Sequence, residues 1–202
     1  LYVYNPLNGS KTEMENVSDN LISRKGDLVA VLTEKKEKDS LSLWEVKMLE
    51  IPSLKVSTVD SKRGEMKQLN SDRAAGQLVW MFTSDTVATR TFDIYTYDRR
   101  RNRVTQLITA ATPGIPQGFG PSDRRRPYFS EDGQRLFIGT TNLPVEEVKD
   151  TLLAEERYSL DIWHWEDPLI QPQQKLMAPR ERFRSFLAVY HFKNNRLVQL
   201  AD

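Results

Sequence analysis

The chain has 202 residues, and 29 Lys and Arg against 28 Asp and Glu leave a formal charge of +1, so no global field draws it to nucleic acid or anionic lipid. Apolar residues at 39% and charged residues at 28% exclude a disordered chain and suffice for a folded core. The absence of Cys excludes disulfides, thiolate catalysis and thiolate metal sites, and leaves the compartment open.

In chain order, the first element is a short strand, Leu1-Tyr2-Val3-Tyr4, so the chain is expected to begin inside a structural unit, as a fragment or a processed protein. A turn through Asn5-Pro6-Leu7-Asn8-Gly9 makes this the start of a hairpin. Then comes a turn followed by an apolar strand, in three copies: Ser23-Arg24-Lys25-Gly26-Asp27-Leu28-Val29-Ala30-Val31, Ala75-Gly76-Gln77-Leu78-Val79-Trp80-Met81-Phe82, and Ser130-Glu131-Asp132-Gly133-Gln134-Arg135-Leu136-Phe137-Ile138. Each is followed by a hairpin: 47–51 turning at Pro52-Ser53, 94–97 turning through 98–102, and 188–192 turning through Lys193-Asn194-Asn195.

The glycines at 26, 76 and 133 are 50 and 57 residues apart, and the hairpin markers Tyr4, Glu50, Tyr97 and Tyr190 are 46, 47 and 93 apart, a period near fifty. Units of roughly 40 to 50 residues with about four strands suit a propeller blade, which buries both faces only between neighbours. The expected fold is all-β: a partial β-propeller of about three to four four-stranded blades, with a half blade over 1–17 and blades over roughly 18–66, 67–110 and 122–202. A β-sandwich, or two unrelated β-domains, is the alternative that the same short strands allow.

Two segments break the repeat. Residues 112–121 form a Gly- and Pro-rich loop. From 144 to 158, Pro144 and Glu146-Glu147 stand at the start and apolar positions 145, 148, 152 and 153 fall at helical spacing, which predicts a short helical insertion with Asn142 as its cap.

Candidate chemistry is sparse. His164 and His191 lie in strand-like runs, 27 residues apart, with no grouping that suits a triad or a metal. No Gly-x-Ser-x-Gly elbow occurs; Gly120-Pro121-Ser122 lacks the second Gly. In 161–165, alternation puts Trp163 and Trp165 on one face, where the pair is expected to pack between blades. Three arginine clusters stand out: Arg99-Arg100-Arg101 with Arg103, Arg124-Arg125-Arg126, and Arg180, Arg182 and Arg184. Guanidinium groups pair bidentately with carboxylates and phosphates, although solvated turns also collect them. No catalytic residue, metal or cofactor is expected.

The run Leu160-Asp161-Ile162-Trp163-His164-Trp165-Glu166-Asp167-Pro168, followed by Leu169-Ile170-Gln171-Pro172-Gln173-Gln174, resembles a segment in the propeller of large secreted S9-type (prolyl oligopeptidase-like) serine peptidases of the Bacteroidetes type. Tyr128-Phe129-Ser130-Glu131-Asp132-Gly133, a blade start of the WD40-like kind, and Arg184-Ser185-Phe186-Leu187-Ala188-Val189-Tyr190 are also similar to that family. The resemblance covers about the last 75 residues; the earlier part matches in blade pattern alone.

The resemblance implies a noncatalytic propeller that gates or binds peptide substrates for a C-terminal α/β-hydrolase domain outside this chain, in a periplasmic or secreted protein. Within it, Arg124, Arg125 and Arg126 are the expected substrate-binding residues, facing the channel to hold a peptide terminus. The alternative is a stand-alone protein-binding or scaffold propeller of the bacterial envelope. Under either, the partners exclude nucleic acid and a membrane span, and open blade edges favour self-association.

Overall fold

A computed structural model describes residues 1–4, 9–38, 41–51, 53–87, 90–144, 162 and 164–201. The chain divides into two units, one comprising 1–144 with 185–202 and holding every described strand, the other comprising 145–184.

The first unit is a succession of antiparallel sheets. β1 (Tyr2–Tyr4) and β2 (Lys11–Glu13) form a two-stranded hairpin. β3 (Val17–Ile22), β4 (Leu28–Lys35), β5 (Leu43–Glu50) and β6 (Lys55–Arg63) form a four-stranded meander. β7 (Glu65–Ser71), β8 (Gln77–Thr83), β9 (Asp93–Asp98) and β10 (Arg103–Ile108) repeat it. In the last sheet β11 (Phe119–Pro121) and β12 (Tyr128–Phe129) pair in tandem with β13 (Arg135–Asn142), which continues to β14 (Phe186–His191) and β15 (Arg196–Gln199).

Strand alternation explains why these sheets stack. Along β8, Leu78 and Trp80 enter a core shared with Leu28, Ala30 and Leu32 of β4, while Val79 and Met81 enter a second core with Leu136 and Ile138 of β13. Val29 and Val31, on the other face of β4, pack in a third core with Val3 of β1. Each central strand is therefore apolar on both faces and reads as a continuous run, and each buried Leu, Val or Met contributes about 1.5–3 kcal/mol. Gly64 turns the chain from β6 into β7 at φ 152°, where a Cβ would lie 2.1 Å from the Thr83 carbonyl oxygen.

The outer hairpins repeat atom for atom in two sheets. Tyr97 Oη donates to Asn102 Oδ1 at 2.8 Å, and Tyr190 Oη donates to Asn195 Oδ1 at 3.3 Å. Both asparagines are left-handed, with φ 48° and 49°, a conformation Asn tolerates. In the second sheet the same register places Leu49 opposite Val56 and Leu54 at φ 53°, so a Leu–Leu pair replaces Tyr–Asn. The repeat marker there is Leu49, one residue before the expected Glu50.

The second unit differs from the sequence reading. The helix expected over 144–158 lies outside the described residues from 145 onward. The described helix is α1 (Gln171–Arg182), with Pro172 in its first turn and Pro179 inside it. The described part of 161–165 is not a strand, and Trp165 is 87% exposed rather than packed; Trp163 lies outside the described residues. Local bonds explain this: the Asp167 carboxylate accepts the His164 N–H at 3.3 Å, and the Asp167 N–H donates to the His164 carbonyl at 3.2 Å, closing a turn in competition with any strand ladder. Among the described residues no helix is long and apolar enough to cross a membrane.

Candidate functional site

Beside the apolar packing of Leu21 with Met66 and Leu69, polar groups join the first strands of the three larger sheets. On β7 the register slips between Lys67 and Asn70, and Gln68 sits in the bulge at φ 59°. A bulge re-aims the side chains around it. Here Lys67 Nζ reaches Asp123 Oδ2 at 2.6 Å, Gln68 Nε2 donates to the Asp123 carbonyl, and Asn70 Nδ2 donates to the Pro127 carbonyl at 2.9 Å. These bonds bind β7 to the link between β11 and β12.

From β3, Asp19 Oδ2 accepts the Leu69 N–H at 3.0 Å and Arg126 Nη2 at 2.7 Å. One carboxylate thus joins all three sheets. Lys67 also lies 3.6 Å from Glu65, which pairs with Arg90, and over the Phe92 ring at 3.9 Å. Gln68 Oε1 is buried and has no hydrogen-bond partner among the described residues.

Arg124, Arg125 and Arg126 all fall on this link, between β11 and β12, and all three are exposed. The structure places them beside the meeting point of the first strands, with Arg126 engaged by Asp19. The Arg124 N–H donates to Ser122 Oγ at 3.3 Å, and the Arg125 Cβ lies against Gly139 of β13. Chemically this is a set of guanidinium groups next to fixed carboxylates, suited to an exchange in which an incoming carboxylate replaces a resident one.

A polar cavity of about 550 Å³ lies at the turns between the last two sheets, walled by Asp72, Gln77, Asp98, Arg100, Asp132 and Lys193 among others. Gln77 Nε2 donates to the Gly133 carbonyl at 3.1 Å across it. Away from it, Asp85 accepts the N–H and the hydroxyl of Thr91, which hold its carboxyl below the usual range. Burial pushes the Asp93 carboxyl up, in part offset by donation from Gln106 at 2.8 Å.

Other candidates are held by local contacts. Ser122 is 2% exposed, and its N–H donates to the Gly139 carbonyl at 2.9 Å. His191 sits between Arg135 and Arg196 in the ladder, and His164 caps its own turn. Arg99 pairs with Glu50 at 2.9 Å and Arg101 with Asp98 at 3.6 Å, so that cluster ties turns together. Among the described residues no group of His, Asp or Glu is placed to hold a metal. Asp19, Gln68 and Asp123 escaped the sequence reading, because their partners lie 50 to 107 positions away and no local pattern announces them.

The sequence matches no family model and no curated protein. Solved structures do match in backbone. The β-propeller domain of the Trilobed protease from Pyrococcus furiosus superposes with a TM-score of 0.50 at 11% identity, over 100% of this chain and 48% of that one. The fold is a β-propeller. TolB from Acinetobacter baumannii matches with a TM-score of 0.50 at 11% identity, over 99% of this chain and 37% of its own. Pyrococcus horikoshii acylaminoacyl peptidase matches with 0.51 at 12%, over 91% of this propeller and 24% of the peptidase. At such identities the fold is what is shared, and the propeller described here spans less than half the length of each relative.

Proposed function

We propose that this propeller is a noncatalytic portion of an S9-type serine peptidase, periplasmic or secreted, and that it binds or gates peptides for an α/β-hydrolase domain outside this chain. The observation that carries the reading is the exposed Arg124, Arg125 and Arg126 set beside the junction of three first strands, with Arg126 already holding the Asp19 carboxylate at 2.7 Å. A peptide C-terminus offers the same group to the same guanidinium. The Asp161 to Gln174 resemblance and the backbone likeness to peptidase propellers support it.

The test is to express the longest reading frame that contains this sequence and treat it with a fluorophosphonate serine-hydrolase probe. Labelling that is lost on mutating an elbow serine is the expected result. In the same protein, Arg124, Arg125 and Arg126 changed together to Ala shift the preference between free and amidated peptide C-termini. No labelling, or an unchanged preference, overturns the respective half of the proposal.

The backbone likeness to TolB supports a second reading, a protein-binding or scaffold propeller of the bacterial envelope. It predicts no probe labelling and a protein partner retained by the propeller alone. In either setting, open blade edges pair with another copy; a species that stays monomeric by light scattering at every concentration contradicts that part.

A further inference from the structure

Within the peptide-binding reading above, on which this inference rests, the three arginines of the 122–127 link are not equivalent. Arg126 is paired with Asp19 at 2.7 Å, and Arg124 has contacts of its own. Arg125 is exposed, and its guanidinium takes part in no hydrogen bond or ion pair among the described residues. The link that carries it is held at both ends. Asp123 is fixed by Lys67 and Gln68 of β7, and the Pro127 carbonyl accepts the Asn70 amide at 2.9 Å, so the Arg125 backbone is positioned before any ligand arrives.

Gly139 brings this link onto β13. A Cβ there would lie 2.8 Å from the Arg125 Cβ, so the missing side chain is what lets the arginine stem rest against the strand. Leu136 and Ile138 point into the core, and with an unbroken register over 135–140, Phe137 and Gly139 share the opposite face. Tyr128 pairs with Phe137 and stacks on its ring at 5.0 Å and 13°, yet stays 41% exposed. Two residues along a strand span about 7 Å, so the arginine stem and an open aromatic ring are neighbours on that face.

We infer that Arg125 and Tyr128 form the seat for the last residue of a peptide, one with a free carboxylate and an aromatic or large aliphatic side chain. The guanidinium takes the carboxylate bidentately, and the ring covers the side chain. A C-terminal residue puts a carboxylate and a large apolar group on one Cα. An internal Asp or Glu brings the carboxylate without the apolar group. Around the seat, Lys67 is neutralised by Asp123 and Arg126 by Asp19, which leaves Arg125 to meet an incoming anion.

The test titrates the 202-residue protein, followed by NMR chemical shifts, with acetylated tri-alanyl peptides that end in Phe as free acid, in Phe as amide, and in Gly as free acid. The Phe acid is expected to bind at least about tenfold tighter than its amide, the loss of a charge-assisted pair, and at least about fivefold tighter than the Gly acid. Arg125→Ala makes acid and amide equal, and Arg125→Lys keeps part of the difference. Tyr128→Ala makes the Phe and Gly endings equal and keeps the preference for acid. All are measured well below the melting temperature of each variant. Equal affinity for acid and amide, no binding of either, or a preference lost in Arg126→Ala and kept in Arg125→Ala overturns the inference. The fluorophosphonate experiment is read separately: labelling of the parent with no peptide bound by the propeller sinks the seat and leaves the peptidase reading, and peptide bound without labelling does the reverse.

Discussion

Asp19 and Arg126 stand 107 positions apart in the chain, yet their side chains meet at 2.7 Å, and the same Asp19 oxygen accepts the Leu69 N–H at 3.0 Å. The two bonds differ in what their loss leaves behind. Arg126 is half exposed, and water can replace its partner, whereas Leu69 is fully buried and its N–H would be orphaned.

Asp19→Ala is therefore expected to cost about 1–3 kcal/mol, the penalty for an unsatisfied buried donor. Arg126→Ala should cost less than about 1 kcal/mol, as for an exposed ion pair. Urea unfolding of both measures the difference; equal losses would mean that the ion pair to the 122–127 link, not the backbone bond to β7, carries what Asp19 contributes.

The Tyr97 and Asn102 pair separates backbone strain from hydrogen bonding. Tyr97→Phe and Asn102→Gly each remove the bond, at about 1 kcal/mol. Asn102→Ala removes it and also forces a Cβ without polar compensation into φ 48°, adding about 1–2 kcal/mol. Thermal melts should rank Ala below Gly at this position.

Gly64 and Gly26 both have positive φ but different surroundings. At Gly26, φ 70°, a Cβ meets nothing within 4 Å, so Gly26→Ala costs about 1 kcal/mol of strain alone. At Gly64 the added methyl collides with the Thr83 carbonyl oxygen and the Phe82 ring. Gly64→Ala should therefore cost more than about 3 kcal/mol, in the range of overpacked sites, and differential scanning calorimetry of the two variants checks the order.

Asp85 and Asp93 predict opposite pH behaviour. The folded state lowers the Asp85 value, so Asp85 adds stability that is complete above the ordinary 3.8 and is lost as pH falls through the lower folded value. Asp85→Asn is less stable than the parent at neutral pH, and the gap closes only below 3.8. The folded state raises the Asp93 value, so ionisation there is a penalty, complete above the raised value and absent below 3.8. Asp93→Asn gains stability at neutral pH and loses the gain on acidification. Melting temperatures across pH 3 to 7 would show crossing trends; parallel curves would contradict both assignments.

The sheets were legible in the sequence because their signals are local. Gly26 and Gly133 mark tight turns by the positive φ they adopt, and runs such as 78–82 announce strands buried on both faces. The substitution of Leu49 and Leu54 for a Tyr–Asn pair displaced one repeat marker by a residue, since the apolar pair packs where the polar pair bonds. No helix was expected over 171–182, where Pro172 and Pro179 interrupt the local helical signal, although Pro in a first turn is compatible with a helix start.

Sequence by itself determined the all-β repeat, the lack of a nucleophile elbow and the position of the arginine cluster, since each depends on neighbours within a few residues. Tertiary structure alone decided that Arg126 meets Asp19, that Asp123 meets Lys67, and that Leu176 and Phe183 face solvent. Such pairs depend on how β3, β7 and the 122–127 link come together. Coulomb and hydrogen-bond energies act over a few ångströms in space, and no periodicity along the chain encodes them.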